Sequence, residues 1–257
     1  MRSKGEIKYI SSPLLERDGI AHAFLSRTGG VSSAPFDTLN FDARDSDTAG
    51  NIAVNKGLIS KAFGINADEI TTVNQVHGNS VLVLDGTGGG SKADADAIVT
   101  RLKGIPIGML TADCLPILLH DPVNNCIGAV HAGWKGTAKW IVKEAIASMR
   151  SEFNSRPADI IAALGPYIGP CCYSVREDVA VEFRKTFKDT SSFIEKDGDG
   201  FKLDIGLANV KELLTLGVKK ENISFEPVCT SCNSSLFFSY RKDNGRTGRQ
   251  LSFITLT

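Results

Sequence analysis

Within this 257-residue chain the stretch Thr111–Gly136, TADCLPILLHDPVNNCIGAVHAGWKG, carries a cysteine and a histidine at positions suited to chemistry. Cys114 stands at the mouth of one apolar run, Pro116–His120, and His131 closes a second, Ile127–His131, with a polar turn between them. Functional groups collect at such strand ends and turns because a rigid sheet stands behind them. Of the four histidines, His22 lies inside a strand-like run and His120 ends one, which reads as packing or surface. His77 instead occupies a His-Gly-Asn turn. His77, Cys114 and His131 therefore form a possible set of two imidazoles and one thiolate. Three protein ligands with a fourth position open is the arrangement of catalytic zinc sites, where the metal lowers the pKa of bound water and stabilises negative charge. The thiolate also admits copper, so the ligand types alone do not name the metal.

Two other readings compete for the cysteines. Cys114 as a nucleophile with histidine as its base is the second. The Cys229/Cys232 pair as a redox or metal site is the third, with packing thiols as its default. A four-ligand site there needs two more ligands, and the adjacent Cys171 and Cys172 look poorly spaced to supply both.

The elements that must position these groups follow from periodicity. Ile20–Ser26 alternates as a strand and leads into Arg27-Thr-Gly-Gly, a tight turn that reads first as a surface turn with a solvated arginine, although its amides and guanidinium would suit an anion. Apolar residues at helical spacing predict a helix over Asn51–Phe63, stopped at Gly64. Ile70–Val76 and Ser80–Leu84 read as strands flanking His77 in a hairpin. Asp85–Lys92 is a glycine-rich loop without phosphate-loop spacing, suited to a lid. Strands are expected at Ala97–Thr100, Ile105–Leu110, Ile160–Leu164, Ile223–Val228 and Leu251–Leu256. One helix is expected over Thr137–Met149, with Trp140 in the core. HAGWKG then lies at a strand-to-helix junction that favours anions. A capping box at Ser174–Glu177 predicts a helix over 175–187, and Asp204 caps another through Leu216.

Composition bounds the function. Hydrophobic residues make up 42% and charged residues 23%, which permits a sizeable core. Lys plus Arg equals Asp plus Glu, at 29 each, which removes the electrostatic case for a nucleic-acid or anionic-membrane partner. No run approaches the roughly 18 apolar residues of a membrane span, and the N-terminus lacks a signal-peptide pattern. One α/β domain over residues 1–257, in a reducing cytoplasmic setting, is the expectation.

Taken together, SRTGGVS (26–32), LN (39–40), NQVHGNSV (74–81), DADAIVT (94–100), TADCLPILL (111–119), AVHAGWKGT (129–137), GPYIGPCCYSV (165–175) and CTSCNSSLFFSYRKDNGRTGRQ (229–250) carry a resemblance. The chain resembles the bacterial multicopper polyphenol oxidase, or laccase-domain, family. Its members are described more recently as purine nucleoside phosphorylases, and some are linked to peptidoglycan editing. The resemblance implies a mixed α+β fold of layered sheet and helices. It implies zinc, with copper as the older alternative, held by His77, Cys114 and His131. It implies Arg27 and Asn40 in binding substrate or phosphate, and cleavage of adenosine, inosine, guanosine and methylthioadenosine with phosphate, together with adenosine deamination. Phe41-Asp42-Ala43-Arg44-Asp45 departs from the family's usual glycine-containing stretch and alters that wall of the pocket.

Zinc nucleobase deaminases use HxE with PCxxC. Here His131 precedes Ala-Gly and Pro170 precedes Cys-Cys-Tyr, so Asp113 is the positional choice for a proton carrier beside Cys114 and His131. Oxygen chemistry over several coppers fits poorly with four histidines. The remaining alternative is an accessory protein of cell-wall precursor editing, with the metal serving structure.

Overall fold

A computed structural model describes residues 1–43, 47–86 and 93–257. The strands are β1 (Arg2–Lys4), β2 (Ile7–Ile10), β3 (Ile20–Leu25), β4 (Val81–Leu84), β5 (Ala97–Thr100), β6 (Ile107–Thr111) and β7 (Leu115–Asp121). They continue with β8 (Cys126–Ala132), β9 (Ile161–Leu164), β10 (Ser174–Val175), β11 (Ile194–Asp197), β12 (Gly200–Leu203), β13 (Ile223–Phe225) and β14 (Gln250–Leu256). The helices are α1 (Ala49–Phe63), α2 (Trp134–Ala138), α3 (Ile141–Phe153), α4 (Glu177–Thr186) and α5 (Ile205–Thr215).

The hairpin β7–β8 lies in a six-stranded mixed sheet of order β13-β9-β7-β8-β5-β4. Every residue of both strands is buried, as their almost unbroken apolar sequences require of strands covered on two faces. Period-two alternation sorts them. Leu115, Ile117, Leu119, Val130 and Ala132 meet α3, α4 and α5 in one core. Leu118, Ile127 and Ala129 pack with Met109 and Ile254 of the second sheet in another. That second sheet, β1-β2-β3-β14-β6, uses its other face to bury Ile59 of α1 against Leu25 and Phe253. The layers are thus helices, sheet, sheet and helix, the mixed α+β arrangement expected. A small antiparallel sheet, β10-β12-β11, flanks them. Among the described residues no helix is long and apolar enough to cross a membrane.

Three local expectations are corrected. Ile70–Val76 is not a strand: among the described residues its β pairing is limited to single bridges at Thr71 and Asn74, and β4 pairs parallel with β5 instead of closing a hairpin. The Gln75 side chain takes the place of a ladder by donating to the Leu110 carbonyl at 2.8 Å and accepting from the Leu110 amide at 2.9 Å. The helix expected over 137–149 is two helices, because Trp140 adopts φ 65° and the chain turns there. Its ring, only partly buried, packs 4.7 Å from that of Phe187. The capping box does not form, since Ser174 is drawn into β10 against Lys202 and Arg176 precedes α4 without a side-chain cap. Asp204 does cap α5, accepting from the Leu207 amide at 2.9 Å. Arg44, Asp45 and residues 87–92 of the expected lid lie outside the described residues.

Candidate active site and metal centre

The register of β7 and β8 runs from Asp121 opposite Cys126 to Leu115 opposite Ala132, which brings Cys114 and His131 to the same end of the sheet. β5 continues the sheet with Ala97 opposite Val130, so Asp96 arrives beside His131. The Asp96 carboxylate is fully buried and gathers four donors. His131 Nδ1 donates to it at 2.7 Å, and the backbone amides of Val76, His77 and Gly78 donate at 3.3, 3.0 and 2.6 Å. One carboxylate therefore fixes the His131 tautomer and folds the turn that presents His77, which adopts φ 57°. With Nδ1 held by Asp96, Nε2 of His131 is the ring nitrogen that can serve as a ligand atom, once its own proton is released.

Ligand atoms of His77, Cys114 and His131 all lie within 4.8 Å of one another. Cys114 Sγ is 3.9 Å from His77 Nε2, and the two imidazole rings cross edge-to-face with centroids 4.8 Å apart. His131 is buried, Cys114 half-buried and His77 exposed, a gradient that leaves one side of the set open. The glycine of HAGW keeps the centre clear: a Cβ at Gly133 would stand 3.0 Å from the Cys114 sulfur and 3.1 Å from His77 Cδ2. Burial alone would raise the Cys114 thiol, but the charge and hydrogen bonds of His131 and His77 bring it down to about 6. His131 moves oppositely, its burial outweighed by Cys114 and Asp96, to about 9. Burial pushes Asp96 up, yet the His131 bond and the Gly78 and His77 amides hold it below the usual carboxylate range. A sulfur ready to ionise beside oriented imidazoles fits a borderline-soft divalent metal such as zinc.

These groups lie in a cavity of about 620 Å³, within the range of small-molecule sites. Trp134, Tyr173 and Tyr240 supply aromatic surface, while Arg241 and Arg249 bring positive charge. Arg241 stacks its guanidinium 5.2 Å from the Tyr173 ring centre. Asp113 lines the cavity at φ 88°, a backbone strain that a residue other than glycine carries only where surroundings enforce it. Both its oxygens are engaged, accepting from Thr230 Oγ1 at 2.6 Å and from the Arg241 amide at 2.7 Å. That arrangement suits positioning of the Arg241 segment better than the proton transfer expected of it.

Arg27 and Asn40, expected to hold substrate or phosphate, have other partners. Arg27 donates to the carbonyls of Asp37 at 2.6 Å and Ser234 at 3.0 Å, pairs with the Asp37 carboxylate and lies over the Phe238 ring. Asn40 is fully buried, donates to the Asp42 carbonyl and the Asp47 carboxylate, and accepts from the Asp42 and Arg249 amides. Neither is among the described residues lining the cavity. The RTGG glycines serve close packing rather than an anion: a Cβ at Gly30 would strike the Thr38 and Leu39 backbone. Asn40 instead positions Arg249. Asp96, Arg241 and Arg249 are the residues that sequence reasoning missed, although DADAIVT and SYRKDNGRTGRQ contain them.

A family model described as multi-copper polyphenol oxidoreductase laccase matches residues 21–257. The chain belongs to this laccase family. A purine nucleoside phosphorylase of Deinococcus radiodurans is 37% identical over 246 residues, spanning 95% of this chain and 93% of that protein. Purine nucleoside phosphorylase YlmD of Bacillus subtilis (strain 168) is 33% identical over 241 residues, 90% of this laccase-family chain and 86% of its own. In structure, YlmD from Geobacillus stearothermophilus superposes with a TM-score of 0.91 at 29% identity, over 100% of this chain and 98% of that one.

Proposed function

We propose that this protein is a zinc-dependent purine nucleoside phosphorylase that also deaminates adenosine. The observation that carries the reading is the joining of a His77–Cys114–His131 donor set and two arginines, Arg241 and Arg249, in the lining of one cavity. The names of the relatives from Deinococcus radiodurans and Bacillus subtilis support it. His77, Cys114 and His131 would hold a zinc ion, which would supply Lewis acidity that activates water and stabilises developing negative charge.

The chain's own residues do the rest by binding and orientation. Arg241 and Arg249 hold phosphate with one oxygen directed at the ribose anomeric carbon. That oxygen forms the new C–O bond as the glycosidic C–N bond breaks, and the base departs with the electron pair and takes up a proton. The products are the free purine and ribose 1-phosphate from adenosine, inosine or guanosine, and the free purine and 5-methylthioribose 1-phosphate from methylthioadenosine. Trp134, Tyr173 and Tyr240 give the purine apolar surface and keep water from the sugar. Asp113 sets Arg241 through its backbone amide. Deamination of adenosine uses the same floor, water adding at the purine C6 and ammonia leaving.

The oxidase reading, which the family's description favours, has fewer ligands to draw on. His22 accepts from the Ser12 amide at 2.9 Å and His120 lies in β7, so two of the four histidines are remote from the cavity lining. The test is to incubate purified protein with adenosine, with and without phosphate, and separate the products. Phosphate-dependent adenine marks phosphorolysis, and inosine without phosphate marks deamination. If neither adenine, inosine nor hypoxanthine rises above a Cys114→Ala control, the proposal fails. Colour development from phenols with copper, independent of phosphate, would replace it with the oxidase.

A further inference from the structure

Besides the buried Cys126, four thiols take no part in the chemistry proposed above. Cys171 and Cys172 come from the loop after β9, and Cys229 and Cys232 from the segment after β13. Widely separated in sequence, they converge, and their sulfurs all lie within 4.8 Å of one another. Cys232 Sγ is 3.5 Å from Cys171 Sγ and 3.4 Å from Cys172 Sγ. A disulfide requires about 2.05 Å. Four sulfurs about 2.3 Å from a common tetrahedral centre stand about 3.8 Å apart, close to the spacing found. The expectation that Cys171 and Cys172 are too badly spaced to complete a site with the CxxC pair is thereby overturned.

Both loops are built to bring the sulfurs inward. Tyr167 and Cys229 form a parallel bridge, with the Tyr167 amide donating to the Val228 carbonyl at 3.1 Å and the Thr230 amide to the Tyr167 carbonyl at 2.9 Å. The Asn233 amide and side chain both donate to the Cys229 carbonyl, at 3.1 and 2.8 Å, which curls the CxxC segment. The Cys172 amide donates to the Gly169 carbonyl at 3.0 Å and turns the other loop. A Cβ at Gly169 would lie 3.3 Å from Cys229 Cβ and 3.5 Å from Cys171 Sγ, so glycine leaves that side of the cluster clear. Cys171 and Cys232 are exposed, so this is no apolar thiol core. A cation satisfies such a set; packing does not.

We propose that Cys171, Cys172, Cys229 and Cys232 form a second, closed metal site, a tetrathiolate for a divalent zinc-class cation. Binding deprotonates the thiols, releases those protons to water and involves no redox step. All four positions are filled by protein, as in structural zinc sites. What it fixes is the cavity wall. Thr230, between the two CxxC cysteines, donates to Asp113, and Tyr173, directly after Cys172, lines the cavity.

The site is independent of the nucleoside reading, and its test needs no nucleoside. The full chain is reduced, stripped by chelator and titrated with zinc, and in parallel with cobalt(II) as a spectroscopic probe. The Cys171→Ser/Cys232→Ser variant changes two exposed positions, and His77→Ala/Cys114→Ala removes the other centre. The expected result is one zinc fewer per chain in Cys171→Ser/Cys232→Ser than in wild type. Strong sulfur-to-cobalt charge-transfer absorption persists in His77→Ala/Cys114→Ala and is lost when Cys171→Ser/Cys232→Ser is added. X-ray absorption on zinc-loaded His77→Ala/Cys114→Ala provides a readout on an intact cluster. Four sulfurs at about 2.3 Å support the site. A shell of nitrogen or oxygen, or a zinc count unaffected by Cys171→Ser/Cys232→Ser, overturns it.

Discussion

The two sulfur-bearing clusters of this molecule are built in opposite ways. His77, Cys114 and His131 meet at a sheet end, with His131 and the turn of His77 held by the buried Asp96 carboxylate, and face a cavity of about 620 Å³. Cys171, Cys172, Cys229 and Cys232 stand on two loops that bridge through their own backbones, and they surround one another. The first has mixed donors and an open side, and the second is closed by four like donors. Openness and second-layer support are what a reacting centre needs, whereas closure is what a structural tie needs.

The largest effects should come from the open centre. Cys114→Ala is expected to abolish nucleoside turnover while leaving the tetrathiolate able to bind zinc, measured by product assay and metal content. Asp96→Asn keeps the shape but removes the charge that holds His131 and accepts the Gly78 amide. Zinc affinity at the open centre should fall about 10- to 100-fold, measured by chelator competition, with the four-cysteine site unaffected. Arg241→Ala should raise KM for phosphate about 10- to 100-fold and change KM for adenosine far less, because a charge-assisted contact to the anion is lost. Equal changes in both constants would place Arg241 in structure rather than in phosphate binding.

Smaller and purely structural is the effect of Glu212, which lies away from both clusters. Its side chain is buried on α5 and accepts from the Lys143 amide at 3.0 Å, and burial pushes it up to about 8 from an ordinary 4.5. The folded protein thus keeps this proton where the unfolded chain releases it. Its stability contribution is full below pH 4.5 and is lost as pH rises through about 8. Denaturant unfolding should show a decline on the order of 5 kcal/mol over that interval, flattened in Glu212→Gln. Cys171→Ser/Cys232→Ser should lower the melting temperature and reduce turnover less than any variant of the open centre.

Much of the frame was legible in sequence, and the reasons for the failures are physical. β7 and β8 announced themselves because strands buried on both faces read as apolar runs. Cys114, His131 and His77 stood out by ligand type and by position beside glycines, but only strand register shows that they meet. Asp96 was hidden because a carboxylate ahead of a strand has the look of an ordinary turn residue. Its role depends on Ala97 pairing with Val130. Arg27 and Asn40 carry donor types that suit an anion, but residue type does not tell which donors reach the cavity, and these two are not among its described lining residues. The CC and CxxC pairs looked incompatible in spacing because loop convergence leaves no periodic signal.

The central claim, that the His77–Cys114–His131 cavity is a phosphorolytic site, meets its most direct test in product analysis with adenosine. Phosphate-dependent release of adenine with an equal amount of ribose 1-phosphate, absent in Cys114→Ala, is the predicted result. Product formation that is indifferent to phosphate and survives in Cys114→Ala would contradict it.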